Sequence, residues 1–257
     1  MRNAIFPLFT MFFLAYMLVG CGGNDTAPAA KTPAASSLPA APSGTASITG
    51  TVKYNGTAPR RQRLRLDEEC QAMHEGPVFA ENVIVNDNGT LDDVFVFIKS
   101  GIEGGPFAPP TDPVVFDQRG CMYHPHVFGI QVGQELKILN SDPLLHNIHV
   151  MPKTNRPYNF GMPKKGDERE RAFKVPEKDV MVKIKCDVHP WMHAWAGVLP
   201  TSFYSVSDTT GAFDIQHLPA GTYVIEAWHE KYGTATQTVT VGDGESTAIE
   251  FSFGEGA

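Results

Sequence analysis

Val180-Met-Val-Lys-Ile-Lys-Cys186-Asp-Val-His189-Pro-Trp-Met192 is the stretch that decides the fold of this chain. Side chains alternate between the two faces of a β-strand, so Val182, Ile184 and Cys186 share one face while the lysines between them point to solvent. The pattern predicts a half-buried strand that brings Cys186 to the buried side at its end.

The loop after this strand carries further side chains that can bind a metal. His189 and Met192 follow Cys186 at intervals of three residues, so a short loop can fold both over one point. Thiolate, imidazole and thioether are soft ligands that favour copper over magnesium, calcium or manganese. The loop therefore predicts a copper site.

A second imidazole is available upstream. Residues 135–140 read as a strand, Ser141-Asp142-Pro143 as a turn, and His146-Asn147-Ile148-His149 follows. On a strand His146 and His149 face opposite sides, so only one of them can reach the metal. We expect His146, the residue nearer the turn, to be the ligand.

These two segments together resemble the cupredoxins, and most closely those of the amicyanin and plastocyanin type. The resemblance covers roughly residues 110–200 and implies one type 1 copper ion. It implies that His146, Cys186 and His189 form the trigonal ligand set, that Met192 is the weak axial ligand, and that Asn147 ties the two ligand loops together. His193 directly follows Met192 and is an alternative axial ligand. The resemblance assigns no role to residues 152–170.

The chain as a whole reads as all-β. Short runs rich in β-branched and aromatic residues are separated by Gly, Pro, Asn and Asp, and no stretch shows a sustained helical period. The predicted strands are 48–54, 94–98, 135–139, 180–185, 223–228, 236–241 and 249–253. We expect β-sandwiches, with the cupredoxin Greek-key sandwich as the larger.

A second resemblance lies near the C-terminus. Asp208-Thr-Thr-Gly211, Leu218-Pro-Ala-Gly221 and Ala227-Trp-His229 resemble the carboxypeptidase regulatory-like (transthyretin-like) module, whose opening strand is similar to Gly50-Thr-Val52. The resemblance implies a smaller, discontinuous sandwich over residues 46–105 with 201–257, interrupted by the cupredoxin at residues 106–200. Alternatively, residues 46–105 add strands to the cupredoxin. No zinc-peptidase or nucleophile-elbow motif occurs, so we expect no enzyme activity.

The cysteines leave one question open. An export signal over residues 1–21 ends in Leu18-Val-Gly-Cys21, which resembles a bacterial lipobox with Cys21 as the lipidated residue. Of the three remaining cysteines, Cys70 and Cys121 can form a disulfide and leave Cys186 free for copper. Alternatively, Cys121-Met-Tyr-His124-Pro-His126 contributes to a second metal site.

The N-terminal composition predicts the cellular setting. Residues 22–45 are almost entirely Gly, Ala, Pro, Ser and Thr, which predicts a disordered tether with a reach of roughly 70 Å. We therefore expect a lipid-anchored protein in the periplasm or at the cell surface. The net charge of −7 becomes −8 without the positive charge of Arg2, which argues against a nucleic-acid partner.

These observations favour one function. We expect single-electron transfer at a membrane surface with a redox protein partner such as a cytochrome or dehydrogenase, with Pro190 and Trp191 beside His189 as the docking patch. A copper carrier or buffer, and a non-redox binding lipoprotein, are the alternatives. His229 is expected to be a hydrogen-bonded structural residue.

Overall fold

The computed structural model describes residues 38–255, whose regular secondary structure is almost entirely β-strand. One helix, α1 (Glu68–Gln71), lies between the first two strands. The strands are β1 (Ala46–Asn55), β2 (Phe95–Ser100), β3 (Val114–Arg119), β4 (Met122–His124), β5 (Val127–Gln131), β6 (Leu136–Asn140), β7 (His146–Met151), β8 (Tyr158–Met162), β9 (Asp167–Arg171), β10 (Met181–Lys185), β11 (His193–Leu199), β12 (Tyr204–Val206), β13 (Ala212–Leu218), β14 (Gly221–His229), β15 (Gly233–Val241) and β16 (Ser246–Gly254). The all-β prediction is confirmed.

Within residues 38–255 no helix has the length and apolar character needed to cross a membrane. The predicted signal peptide and Cys21 lie outside the described residues. The last part of the predicted tether differs from expectation, because it contacts the folded region: the Pro39 carbonyl accepts a hydrogen bond from Ala108 N–H, and Gly44 N–H donates to the His217 carbonyl.

The larger sandwich consists of the sheets β5-β11-β10-β7-β8 and β4-β3-β6-β9. Its core takes apolar side chains from the inner faces of both sheets, among them Phe116, Ile138, Ile148 and Ile184. Each of these four side chains is fully buried. Cys186 and Met192 belong to the same core, so the candidate site lies at one end of this sandwich.

The smaller sandwich consists of the sheets β13-β1-β16 and β12-β2-β14-β15. Strand β1 pairs with both β13 and β16, so the beginning and the end of the described chain share one sheet. Its core includes Ile48, Val96, Ile225 and Phe251. The domain boundaries and the family of this sandwich stay predictions.

The two sandwiches meet where β2 and β12 pack against β5 and β11. Gly129 and Gly197 are paired directly across β5 and β11. A Cβ on Gly197 would lie 2.3 Å from the Phe95 ring, and one on Gly129 would lie 2.2 Å from the Tyr204 ring. The two glycines therefore admit the two rings against the sheet, and the Tyr204 hydroxyl donates to the Gly129 carbonyl at 2.9 Å.

A disulfide ties the segment between β1 and β2 to the larger sandwich. Cys70 of α1 is bonded to Cys121, in the turn between β3 and β4. Asp67 begins the helix by accepting a hydrogen bond from Cys70 N–H. This linkage matters for the site because α1 lies beside one of its histidines.

Residues 152–170 comprise a loop, strand β8 at the edge of one sheet of the larger sandwich, and most of β9 at the edge of the other sheet. Glu177, which is buried, holds that loop: its carboxylate accepts hydrogen bonds from the backbone N–H groups of Lys153, Thr154 and Asn155 at 2.7–2.9 Å. Strand β8 then pairs with β7, next to the candidate site.

Candidate metal centre

Strand pairing explains why the predicted ligands meet. Strand β7 lies antiparallel beside β10, with His149 opposite Lys185. The beginning of β7 therefore extends past the end of β10, and His146 lies beside the loop that starts at Cys186. Two segments separated by about forty residues are thus brought to one end of the sandwich.

Three donor atoms face one another at this point. His146 Nδ1 lies 3.0 Å from His189 Nδ1, which lies 3.7 Å from Cys186 Sγ. All three residues are buried, and their donor atoms lie within 4.8 Å of one another. Donors at these separations can share a single ion at metal–nitrogen and metal–sulfur bond lengths of about 2.0–2.3 Å.

The loop from Cys186 to Met192 is closed by its own backbone. Cys186 N–H donates to the Met192 carbonyl at 2.9 Å, and Met192 N–H donates to the His189 carbonyl at 3.0 Å. His189 N–H points at Cys186 Sγ at 3.4 Å. Met192 is buried in the same core as Cys186, so the loop wraps its thioether side chain inward.

A carboxylate that is not among the predicted site residues fixes the orientation of His146. Asp142 Oδ2 lies 2.8 Å from His146 Nε2. Burial raises the pKa of Asp142, but hydrogen bonds from His146 and from the N–H groups of Cys121 and Gly120 outweigh it and lower that pKa. An ionised carboxylate only accepts, so Asp142 takes a hydrogen bond from His146 Nε2–H and leaves Nδ1 to face the Cys186–His189 pair.

The surroundings of Cys186 favour its thiolate. Burial raises the pKa of this thiol, but hydrogen bonds with the rings of His146 and His189 and with the backbone N–H groups of Asn147 and His189 outweigh it. The result is a pKa lowered to about 6. The thiolate is the form that binds metals, so the lowered pKa favours binding of a soft metal ion by Cys186.

Asn147 connects the two ligand segments, as the resemblance implies. Its Oδ1 accepts a hydrogen bond from Asp187 N–H at 2.6 Å and lies 3.3 Å from Cys186 Sγ. Its Nδ2 donates to Asn159 of β8 at 2.7 Å. The residue thereby holds the β7 segment against the Cys186 loop.

Two alternative ligands face elsewhere. His149 pairs with Asp187 on the outer side of the sheet, at 3.0 Å. His193 Nε2 lies 3.3 Å from Glu230 Oε2 and is not part of the Cys186 cluster. The structure therefore places His146 rather than His149 beside Cys186, and Met192 rather than His193 inside the core.

His189 is covered rather than exposed. Only 4% of it is accessible to solvent. Its Nε2 lies 3.6 Å from Asp67 of the α1 segment, and a ring nitrogen lies within 4.8 Å of the Cys70 and Cys121 sulfurs. Of the candidate docking residues, Pro190 is exposed and Trp191 is half-buried, with its indole N–H donating to the Cys121 carbonyl at 3.0 Å.

The other histidines that the sequence analysis considered, His124, His126 and His229, lie away from this cluster. His124 is near the surface, with Nε2 3.2 Å from the Arg119 carbonyl. His126 is buried beside Glu230. His229 Nδ1 accepts hydrogen bonds from the N–H groups of Lys231 and Tyr232, and burial lowers its pKa to about 4, as befits a neutral structural histidine.

The donor set fits a copper ion. One thiolate and two imidazole nitrogens face a single buried point, a methionine lies on the same loop, and the two imidazoles present Nδ1 there. This combination of ligand types is that of His₂Cys sites with a weak axial methionine.

Comparison with known proteins gives structural likeness only. No family model matches the chain, and no curated protein matches it. A copper-containing nitrite reductase from Thermus scotoductus SA-01 is similar over 39% of this chain, at 23% identity and a TM-score of 0.30. This chain spans only 25% of the length of that enzyme.

Two smaller proteins are similar over nearly their whole length. A purple cupredoxin from Nitrosopumilus maritimus matches 34% of this chain and 99% of its own at 23% identity and a TM-score of 0.28. A reduced amicyanin variant matches 40% of this chain and 98% of its own at 18% identity and a TM-score of 0.30. At these scores nothing about the ligand or activity of this chain follows from the matches.

Proposed function

We propose that the chain holds one copper ion in a type 1 site and transfers single electrons between redox partners. The observation that carries the proposal is the buried convergence of Cys186 Sγ with the Nδ1 atoms of His146 and His189. Copper bound there supplies a one-electron couple. His146, Cys186 and His189 would hold it, with Met192 as a weak fourth ligand.

The contribution of the protein to this function is to hold the ligand side chains rigidly. Asp142 orients His146, Asn147 holds the two ligand segments together, and the backbone hydrogen bonds of the loop fix Cys186 and Met192. Ligands held in this way move little between oxidation states. The burial of the ligands also favours retention of the metal over the rapid exchange expected of a copper carrier.

The partner is proposed to be another redox protein. Leu145 and Val188 are the chain neighbours of His146 and His189, and they are 47% and 48% exposed. Together with Pro190 they provide exposed apolar surface beside two ligands, which suits the small contacts of transient electron-transfer complexes. We propose a lipid anchor at Cys21, a periplasmic or cell-surface location, no nucleic-acid partner, and an electron carrier rather than an enzyme.

Protein-film voltammetry of the copper-loaded full chain tests the function. We expect one reversible one-electron wave, and electron exchange with a soluble cytochrome, both absent from Cys186→Ser. Asp214→Asn, an exposed change on β13, is the control and should keep the wave. Copper release to a chelator without any reversible wave would instead support the carrier, and a chain that retains no copper would support a non-redox binding protein.

A further inference from the structure

A second cluster of ligating side chains lies in a cleft beside the copper site. The cleft has a volume of about 630 Å³ and is lined by His126, His193, Glu81 and Glu230, together with Trp191. His126 precedes β5 and His193 begins β11, two neighbouring strands of the larger sandwich. Glu230 follows β14 of the smaller sandwich, so the cluster exists only because the two sandwiches meet.

The geometry of this cluster is that of a metal site. Glu230 Oε2 lies 3.3 Å from His126 Nε2 and 3.3 Å from His193 Nε2. The three donor atoms lie within 4.8 Å of one another. Glu81 Oε2 is on the other side of the His126 ring, 3.7 Å from its Nδ1.

Several of these polar atoms lack hydrogen-bond partners. His126 is only 6% exposed, and neither of its ring nitrogens makes a hydrogen bond of acceptable geometry. Glu81 Oε2 is also buried without one. Buried polar groups are normally paired, and orphaned donors and acceptors that face one another indicate a missing ligand.

The local charge favours a cation. His126 is surrounded by the carboxyl groups of Glu81, Asp93 and Glu230. Among the described residues, no Lys or Arg forms an ion pair with any of these three carboxyl groups. Two neutral imidazoles carry no charge to offset these partly buried carboxyl groups, so protons or a metal ion must contribute the positive charge.

We propose that His126, His193 and Glu230 bind a second divalent metal ion, with Glu81 in reach as a further ligand. Imidazole and carboxylate together, without a thiolate, suit ions of the Zn²⁺ class, and the cleft leaves room for water as a remaining ligand. This site is distinct from the Cys186 cluster and does not depend on its redox function. His193 follows Met192, so the chain would connect the two sites through one peptide bond.

A protonated His126 paired with the carboxylates would account for the same geometry without metal, and counting bound Zn²⁺ separates the two explanations. The full chain is stripped of metal, dialysed against Zn²⁺ and analysed for metal content. We expect two Zn²⁺ per wild-type chain and one per Cys186→Ser chain. Glu230→Gln, which keeps the side-chain shape, and His126→Ala should each lose one ion, and His124→Ala should lose none.

The number bound by the Cys186→Ser chain is decisive. If the Cys186→Ser chain binds one Zn²⁺ and the Cys186→Ser/Glu230→Gln chain binds none, the second site is supported, even if the proposed copper function is wrong. No ion in the Cys186→Ser chain would overturn the proposal. An ion that persists in both the Glu230→Gln and the His126→Ala combinations would overturn it as well.

Discussion

At the scale of single residues, the candidate copper site depends on groups that are not ligands. Asp142 is the main example, because it accepts hydrogen bonds from His146 and from the N–H groups of Gly120 and Cys121. It thereby links the orientation of a ligand to the turn that carries the disulfide. A ligand histidine held by a carboxylate is a common way to fix its tautomer.

Replacing Asp142 by Asn should therefore weaken copper binding without removing any ligand. The amide oxygen cannot accept all three hydrogen bonds, and its NH₂ group would face a donor. We expect the copper affinity to fall about 10- to 100-fold, as is usual for the partners of metal ligands. Competition with a chelator measures it, with the exposed Asp179→Asn as control; equal affinities in Asp142→Asn and wild type would contradict the assigned role.

The sequence predicts part of this arrangement and omits the rest for a physical reason. Strand alternation alone directs Cys186 inward and separates His146 from His149. By contrast, the approach of Asp67 to His189, and of Glu230 to His126 and His193, depends on how distant segments pack. Local periodicity carries no information about such contacts, so these residues become visible only in the folded chain.

At the scale of elements, the segment 152–170 gains a role. It supplies β8, which pairs with the ligand-bearing β7, and its leading loop is held by Glu177. Burial raises the pKa of Glu177, but hydrogen bonds from Asn155, Thr154 and Lys153 outweigh it and hold that pKa below its ordinary value.

Glu177→Gln should consequently destabilise the fold in a pH-dependent way. We expect a loss of about 1–3 kcal/mol at neutral pH, since the amide nitrogen cannot accept a backbone N–H. A carboxyl whose pKa is lowered by folding stabilises the protein above its unfolded pKa, and the contribution vanishes as pH falls through the folded value. Urea unfolding at about pH 7 and about pH 3 measures the difference in unfolding free energy between Glu177→Gln and wild type, and this difference should shrink in acid. The exposed Glu170→Gln is the control and should change the unfolding free energy little at either pH. A Glu177→Gln difference that is the same at both pH values would refute the assignment.

The junction of the sandwiches gives a second prediction about elements. Gly197→Ala would place a methyl group 2.3 Å from the Phe95 ring, and overpacking of this kind costs about 1–3 kcal/mol. Gly76→Ala is the matched control, because a Cβ there meets nothing within 4 Å. Thermal unfolding should show a clear loss for Gly197→Ala only, and adding Phe95→Leu should recover part of it; unaltered stability of Gly197→Ala would mean that the ring does not pack there.

Strand prediction succeeded where the pattern was strong, and one of the strands that it missed has no such pattern. The runs that became β1, β2, β6, β10, β14, β15 and β16 are rich in β-branched and aromatic residues. Strand β9, with the sequence Asp167–Arg171, is charged throughout and mostly exposed. It forms by pairing with β6, a tertiary contact that the composition of β9 does not predict.

At the scale of the whole molecule, the smaller sandwich contributes to both sites. The segment between β1 and β2 carries Asp67 and Cys70 over His189, and β14 carries Glu230 to the second cluster. The Cys70–Cys121 disulfide closes a loop of 51 residues and fixes this cover in place.

Removing that disulfide should both destabilise the protein and open the copper site. For the double variant Cys70→Ser/Cys121→Ser, the loop-entropy model gives a loss of about 4 kcal/mol. Because the cover is then free to move, copper should be extracted by a chelator faster than from the wild type. Denaturant unfolding and the extraction rate are the measurements; an unchanged extraction rate would show that the disulfide does not control access to His189.

The central claim is a copper–thiolate bond at Cys186, and the visible absorption spectrum of the copper-loaded full chain tests it most directly. We predict intense thiolate-to-Cu(II) charge-transfer absorption in the wild type, its loss in Cys186→Ser, and its retention in the exposed control Asp214→Asn. A wild-type chain that binds Cu(II) yet stays colourless would contradict the claim.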